Sequence, residues 1–160
     1  CDVNVGGTFV SSRAAIPYLQ KSAKNGNNPH ILNLSPPLSM KEKWFKHHVA
    51  YTMAKYGMSM CVLGMSGEFK RDGIAVNALW PRTAIDTAAL AMIPGVDTAA
   101  CRKPEILADA AYIILNRPST DCTGNFFVDD EVLASEGITD LEKYSVVPGT
   151  TDFLLDFFLD

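Results

Sequence analysis

The sequence lacks several features that would assign it to a class at once. Its four cysteines are scattered as Cys1, Cys61, Cys101 and Cys122, without a Cys-x-x-Cys pair and without a histidine pair at metal-ligand spacing. We therefore expect small buried thiols in a reducing compartment, with neither a disulfide framework nor a zinc or other metal site.

Long apolar runs and an excess of one charge are also missing. Charged residues or asparagine interrupt each hydrophobic stretch before it reaches the roughly 18 residues of a membrane span. The 14 Lys and Arg against 18 Asp and Glu give a net charge of -4, without long blocks of one sign. The short apolar runs predict no membrane span, and the charge balance gives no support for a nucleic-acid partner or for binding to a membrane surface. The chain starts with Cys1 inside a predicted helix, without a leader signature, so we expect a piece of a longer protein.

What is present is an alternation of helical and strand patterns. The 160 residues, 48% of them hydrophobic, suit one domain with a buried core. Strands that alternate with helices predict parallel β-α-β units and an α/β fold. Three strands make a thin sheet with an open edge, which indicates half of a fold. Helices are predicted over 3–22, over 49–69 and after Pro104, and strands over 30–34, 73–80 and 125–128.

Tyr51 and Lys55 are four residues apart, so on a helix they share one face. A free tyrosine has a pKa near ~10, and a neighbouring ammonium favours the phenolate and lowers that pKa. The pair therefore suits a general acid or base acting on a carbonyl or an alcohol. By itself the spacing is weak, because a surface tyrosine beside a solvated lysine has the same pattern.

The order of several further segments strengthens the interpretation. Taken together over residues 2–130, they resemble the successive motifs of the short-chain dehydrogenase/reductase family. The segments are 4–9, the strand end Asn33-Leu34-Ser35, Tyr51 with Lys55, 76–81 with Thr87, and 123–125 before 128–129.

The resemblance implies the C-terminal half of a Rossmann-type doubly wound parallel sheet. It implies one partial domain over residues 1–160, in which 131–160 are a C-terminal extension. The implied activity is hydride transfer between a nicotinamide cofactor, NADP with NAD left open, and a carbonyl or secondary alcohol. The substrate is expected to be apolar, like a lipid, an acyl chain or a steroid. A homodimer or homotetramer is implied, and an intracellular location in the peroxisome or mitochondrion, with the cytoplasm left open.

The resemblance also assigns roles to residues. Tyr51 would exchange the proton with the substrate oxygen, Lys55 would lower the pKa of Tyr51 and bind the nicotinamide ribose, and Asn4 would hold a water. An ordinary helix asparagine, loop polarity and helix capping are the alternative explanations for Asn4 and the loop threonines. The residues expected to bind the cofactor are Tyr51, Lys55, Pro81, Thr83, Ile85 and Thr87.

Two positions depart from the family pattern. The family has a second serine where this chain has Pro36, which leaves Ser35 as the catalytic serine one position early and Ser39 as a substitute. Arg82 stands where the family commonly has glycine. Its guanidinium would meet a phosphate or a carboxylate, or point to solvent, and we expect solvent.

The residues around the tyrosine add aromatic and basic candidates. We expect His47 and His48 to be helix-entry residues rather than a second acid or base. Trp44, Phe45 and Trp80 are candidates for an apolar pocket wall, although ordinary aromatic packing explains them almost as well.

No Gly-x-x-x-Gly-x-Gly turn, which would bind a pyrophosphate at a helix N-terminus, occurs in the chain. We expect that turn to lie before Cys1, and the chain by itself to be inactive. Two hypotheses remain: an oxidoreductase, or a truncated non-catalytic family member that acts as a binding or oligomerisation module.

Overall fold

A computed structural model describes all residues, 1–160. Its centre is a three-stranded parallel sheet in the order β1-β2-β3. The α/β class and the parallel sheet predicted from the sequence are confirmed. The strands are β1 (His30–Leu34), β2 (Ala75–Trp80) and β3 (Phe126–Val128).

Five α-helices surround the sheet. The sequence predicted three of them, and missed the two short ones, α3 and α5. The helices are α1 (Gly7–Lys24), α2 (Val49–Phe69), α3 (Ala88–Ala91), α4 (Glu105–Asn116) and α5 (Asp129–Ser135).

The start of the first helix differs from the expectation. Residues Asp2–Gly6 form a π-helical turn, and the α-helix begins only at Gly7. This turn packs closely on α2, because a Cβ added to Gly57 would lie 2.3 Å from a methyl group of Val5. The lack of a side chain at Gly57 thus permits this close approach.

The core lies on both faces of the sheet. Val76 and Ala78 of β2 pack with residues of α1 and α2, whereas Leu79 packs with residues of α4 and α5. Successive side chains of a strand point to opposite faces, so β2 is buried on both. All six residues of β2 are buried. The result is a three-layer arrangement with the sheet in the middle.

Some packing expectations are wrong. The spacing of Phe9 and Ile16 predicts that both lie on the inner face of the first helix, but Phe9 is 51% exposed whereas Ile16 is buried. Among the cysteines, Cys101 and Cys122 are buried as expected, but Cys1 is exposed and Cys61 only partly covered. No helix has both the length and the apolar character needed to cross a membrane.

Candidate active site

Helix α2 fixes the direction of the predicted catalytic pair. Its buried face carries Thr52 and Ser59, whose hydroxyls donate to the carbonyls of Trp44 and Pro36. These bonds hold the helix against the preceding loop and set its rotation. Tyr51 and Lys55, one turn apart, then face a cleft at the carboxyl ends of β1 and β2.

The cleft has a volume of about 870 Å³, and 13 of its 18 lining residues are hydrophobic. Parallel sheets bind ligands at this edge, beyond the carboxyl ends of their strands. The mixture of a large apolar wall and few polar groups is typical of a small-molecule site. The polar or charged groups among the lining residues are His48, Tyr51, Lys55, Thr87 and Asp156.

One wall of the cleft comes from the last eight residues, Phe153 to Asp160, here called the C-terminal segment. It has little regular structure, and its backbone is tied to the loops after β2. Leu154 accepts a hydrogen bond from the Ala84 amide (2.8 Å), and Asp156 N–H donates to the Arg82 carbonyl (3.0 Å). The Trp80 indole N–H donates to the Phe157 carbonyl (2.8 Å).

Aromatic packing joins the C-terminal segment to α2. The Phe158 ring is 4% exposed and lies 5.0 Å from the Tyr56 ring and 5.9 Å from the Trp80 ring, centroid to centroid. Tyr51 stacks on Phe158 at 6.0 Å with an interplanar angle of 9°, and its ring edge meets Phe157 at 6.2 Å. The tyrosine ring is therefore positioned by the C-terminal segment as well as by its own helix.

The charges around Tyr51 act against its ionisation. Burial raises the pKa of the Tyr51 phenol, and the negative charge of Asp156 raises it further. The predicted lowering of this pKa by Lys55 is not among the main influences in this chain and stays a prediction. The Lys55 ammonium instead lies over the Trp80 ring, 5.6 Å from its centroid.

Asp156 is itself perturbed. Burial raises the pKa of its carboxyl to about 6, against the lowering effect of the Phe157 amide, which donates to Oδ1 at 2.7 Å. The nearby charge of Asp129 raises this pKa as well, and that of Lys55 lowers it. A carboxyl with such a pKa changes its charge close to neutral pH.

The structure brings together most of the residues predicted to bind the cofactor. Tyr51, Lys55, Pro81, Ile85 and Thr87 all line the cleft. Thr83 does not line it: the residue is 3% exposed, and its hydroxyl has no hydrogen-bond partner. Thr87 also caps α3, since its hydroxyl accepts from Leu90 N–H at 3.3 Å.

The two other predicted catalytic residues are not in the cleft wall. Ser35 is fully buried, its hydroxyl lacks a partner, and it does not line the cleft. Ser39 does not line the cleft either, and its hydroxyl accepts from the Lys41 amide. Asn4 lies in the π-helical turn before α1 and also does not line the cleft. The π-helical turn does pack on α2, the helix of Tyr51 and Lys55, so a role of Asn4 beside the cleft stays a prediction.

Arg82 corrects a further expectation. Its guanidinium does not point freely to solvent, but forms ion pairs with Asp130 and Glu131, each at 2.6 Å. These contacts raise the pKa of Arg82 and fix the start of α5 against the loop after β2. The guanidinium of Arg82 thus stabilises the fold through these ion pairs.

The aromatic and histidine candidates divide between the cleft and the core. Trp80 lines the cleft, whereas Trp44 and Phe45 pack against the cluster formed by Tyr56, Trp80 and Phe158. His48 is the N-cap residue of α2, as a helix-entry residue should be, and it also lines the cleft.

The residues that sequence reasoning missed are those of the C-terminal segment and the loop around α3. A signal was present: Phe153 to Leu159 is an apolar run that a single acidic residue, Asp156, interrupts. Such a run predicts burial, but nothing in it says against what. The missed lining residues of these two regions are Ala89, Leu90, Ile93, Val96, Leu154, Leu155, Asp156 and Phe157, and Leu34, Ala84 and Leu107 line the cleft from elsewhere.

Comparison with known proteins places this geometry in a family. A family model described as enoyl-(acyl carrier protein) reductase matches residues 1–125, most of the chain. The chain belongs to the short-chain dehydrogenase/reductase family. The resemblance stated from the motifs is thereby confirmed.

Curated relatives within this family show which of its members the chain resembles. Hydroxysteroid dehydrogenase-like protein 2 of Danio rerio is 57% identical over 159 residues, which are 99% of this chain and 37% of the relative. In sequence, segments 31–37, 44–46 and 54–60 resemble this protein most, and the comparison confirms the likeness. The chain spans little more than a third of the length of this curated relative.

Solved structures of the family agree in fold. A candidate dehydrogenase from Xanthomonas campestris is 51% identical with a TM-score of 0.92, over 99% of this chain and 56% of that chain. A short-chain dehydrogenase from Mycobacterium thermoresistibile is 45% identical with a TM-score of 0.87, over 98% and 54%. A 4-hydroxyisoleucine dehydrogenase complexed with NADH, 22% identical with a TM-score of 0.59 over 79% of this chain and 54% of that chain, shares the fold.

Proposed function

We propose that this chain carries the catalytic half of an oxidoreductase that transfers a hydride between NADP or NAD and a carbonyl or secondary alcohol. The observation that supports this most is the common position of Tyr51 and Lys55 in one apolar cleft at the carboxyl ends of the strands. A proton donor beside an ammonium in such a cleft suits a substrate whose oxygen gains or loses a proton.

The residues present fit the nicotinamide end of the cofactor. Lys55 forms none of the ion pairs found in the molecule, so its ammonium is available to a ribose hydroxyl. Pro81 and Ile85 offer an apolar surface for a flat ring, and Thr87 offers a hydroxyl. When bound, the cofactor would supply or accept the hydride. The proton would pass through the Tyr51 hydroxyl.

The substrate class follows from the lining. Leu154, Leu155 and Phe157 form an apolar wall facing Tyr51, so we propose a substrate with apolar bulk next to its oxygen, such as an acyl chain or a steroid.

The decisive experiment uses the full-length protein. Tyr51→Phe removes the hydroxyl and keeps the ring, so we expect turnover to fall by roughly 10²–10⁴-fold. The matched control is Tyr112→Phe, which changes an exposed tyrosine on α4. Nicotinamide absorbance, followed with a panel of apolar ketones and secondary alcohols, measures the rate. Equal rates for Tyr51→Phe and the wild type would contradict the proposal.

A second candidate function is supported by two specific observations. Pro36 replaces the family serine and Ser35 lies outside the cleft wall, while the pKa of Tyr51 is raised rather than lowered. A non-catalytic family member that binds a ligand or oligomerises would need neither group. No turnover by the wild type with any substrate of the panel, together with retained binding of NADPH, would favour this candidate.

We also propose that the protein forms a homodimer or homotetramer through α1 and α2. Both helices expose large apolar side chains, which monomers rarely present in groups. Sedimentation of the full-length protein at micromolar concentration should give a dimer or a tetramer, and a strict monomer would contradict this. The exposed residues are Phe9, Val10, Tyr18, Met53, Met60 and Leu63.

The chain by itself should neither bind the cofactor tightly nor turn over substrate. One edge of β1 has no strand partner, and the pyrophosphate-binding turn does not occur in its sequence. We expect affinity weaker than ~1 mM for NADP(H) or NAD(H). Calorimetry on a polypeptide of residues 1–160 tests this, and micromolar binding would refute it.

A further inference from the structure

Asp156 is a charged residue in the cleft for which the proposed reaction has no role. It stands on the irregular C-terminal segment, yet its position is fixed by two hydrogen bonds. Its N–H donates to the Arg82 carbonyl at 3.0 Å, and its Oδ1 accepts from the Phe157 amide at 2.7 Å. Asp156 lines the same cleft as Tyr51 and Lys55.

Titratable groups from several elements lie near Asp156, and one of them is His48, which lines the same cleft. Helix α2 contributes Tyr51 and Lys55, the start of α5 contributes Asp129, and the loop before α4 contributes the Cys101 thiol. Lys55 and Asp156 form no direct ion pair, so neither cancels the charge of the other by contact. The guanidinium of Arg82, whose backbone carbonyl accepts the Asp156 N–H, already pairs with two other carboxylates.

We propose that Asp156 is a positioning residue of the site, which acts on Tyr51 and Lys55 through the charge of its carboxylate. This inference rests on the proposed oxidoreductase function. Asp156 need not touch the substrate, because a charge in a partly desolvated cleft acts over several ångströms.

The charge of Asp156 has a definite sign of effect. A carboxylate beside Tyr51 disfavours the phenolate and so raises the pKa of Tyr51. It also offsets part of the attraction between Lys55 and a phenolate. Protonation of Asp156 removes its negative charge and with it this effect on the pKa of Tyr51. Since burial raises the pKa of Asp156 to about 6, the carboxylate raises the pKa of Tyr51 above that pH and no longer does so below it.

The expected result is a pH-dependent difference between two proteins. In the full-length protein, Asp156→Asn keeps an acceptor for the Phe157 amide and removes the charge. We expect the rising limb of kcat/KM for alcohol oxidation to move to lower pH by about half to one unit. The two profiles should coincide at pH values below about 6, where the wild-type carboxyl is protonated. The matched control is Asp152→Asn, which removes an exposed carboxylate four residues earlier in the sequence.

A second measurement does not depend on turnover. The ionisation of Tyr51 can be followed by ultraviolet difference spectra against Tyr51→Phe, in the wild type and in Asp156→Asn. The pKa of Tyr51 should fall in Asp156→Asn and stay unchanged in Asp152→Asn. Asp156→Glu, which restores the charge, should return it toward the wild-type value.

The outcomes separate this inference from the proposed function. An unchanged Tyr51 titration in Asp156→Asn, or a changed KM with an unchanged pH profile, would overturn the role of Asp156. A wild type without turnover would contradict the proposed function, while the spectroscopic titration would still decide on Asp156. If Asp156→Asn does not fold, the ¹³Cζ resonance of Tyr51 in the wild type should show an inflection near pH 6, and its absence overturns the inference.

Discussion

Helix α2 and the C-terminal segment form facing parts of one cleft, but they are held in different ways. Helix α2 is 21 residues of regular structure whose face is set by its period. The C-terminal segment has no such period and depends on bonds to loops and on one buried ring. Phe158 even adopts a positive φ of 74°, a conformation that costs a non-glycine residue of order 1–3 kcal/mol.

The regular helix and the irregular segment contribute different groups to the site. The regular helix places the proton-exchanging groups, Tyr51 and Lys55, at a fixed spacing. The irregular segment supplies apolar wall, a ring for Tyr51 to stack on, and the charge of Asp156. If the segment is fixed mainly by Phe158, changes there should disturb the site more than most changes in α2.

The largest expected effect is therefore in the C-terminal segment. Phe158→Ala in the full-length protein removes a ring that is 4% exposed, so we expect a loss of about 3–5 kcal/mol in the free energy of unfolding. The matched control is the neighbouring Phe157→Ala, which changes a ring that is 41% exposed and should cost much less. Denaturant unfolding measures both. Similar losses for the two variants would show that Phe158 is not the anchor.

A second effect tests the charge that the segment carries. The folded-state pKa of Asp156 lies above its ordinary value, at about 6. The contribution of Asp156 to the stability of the wild type should therefore fall as the pH rises from about 4 to about 6, because the folded state gives up a proton that it holds more tightly than the unfolded state does. Above that window, Asp156→Asn should be more stable than the wild type by about 1–2 kcal/mol, after allowance for partial solvent access. Unfolding at pH 4 and pH 7 checks the sign, and an advantage at the lower pH would contradict it.

Helix α2 offers a pair of glycines with opposite expectations. In Gly57→Ala the new Cβ would lie 2.3 Å from the stiff side chain of Val5, so we expect a net loss of about 1 kcal/mol or more. Gly64→Ala meets nothing within 4 Å and should gain up to about 1 kcal/mol from helix propensity. Thermal unfolding of both variants measures the difference. A higher Tm in both variants would mean that the π-helical turn moves away from the new Cβ at little cost.

The smallest effect is expected at the outer end of the C-terminal segment. Asp160 pairs with Lys41 and Lys43, which lowers the pKa of its carboxyl, but all three side chains are more than half exposed. Exposed ion pairs contribute little, because water and salt screen them. Asp160→Asn should therefore leave the Tm of the full-length protein almost unchanged at any ionic strength. A marked fall in Tm at low salt alone would show that this pair, and not Phe158, fixes the segment.

The sequence by itself determined the parts of the protein that repeat with a local period. The strand His30–Leu34 and the helix Val49–Phe69 were predicted at the ends where they occur, since hydrophobic runs, prolines and helix spacing are local signals. The shared face of Tyr51 and Lys55 followed from the same helical period, and the family from the order of short motifs.

Tertiary structure alone decided the rest. Three features of the site depend on residues distant in sequence. Ser35 is buried outside the cleft, Arg82 forms ion pairs with Asp130 and Glu131, and the charge of Asp156 raises the pKa of Tyr51. A pKa is set by burial and by charges in space, and the C-terminal segment meets α2 about a hundred residues after it along the chain. No local sequence pattern records the burial of a side chain or a contact between segments so far apart in the chain.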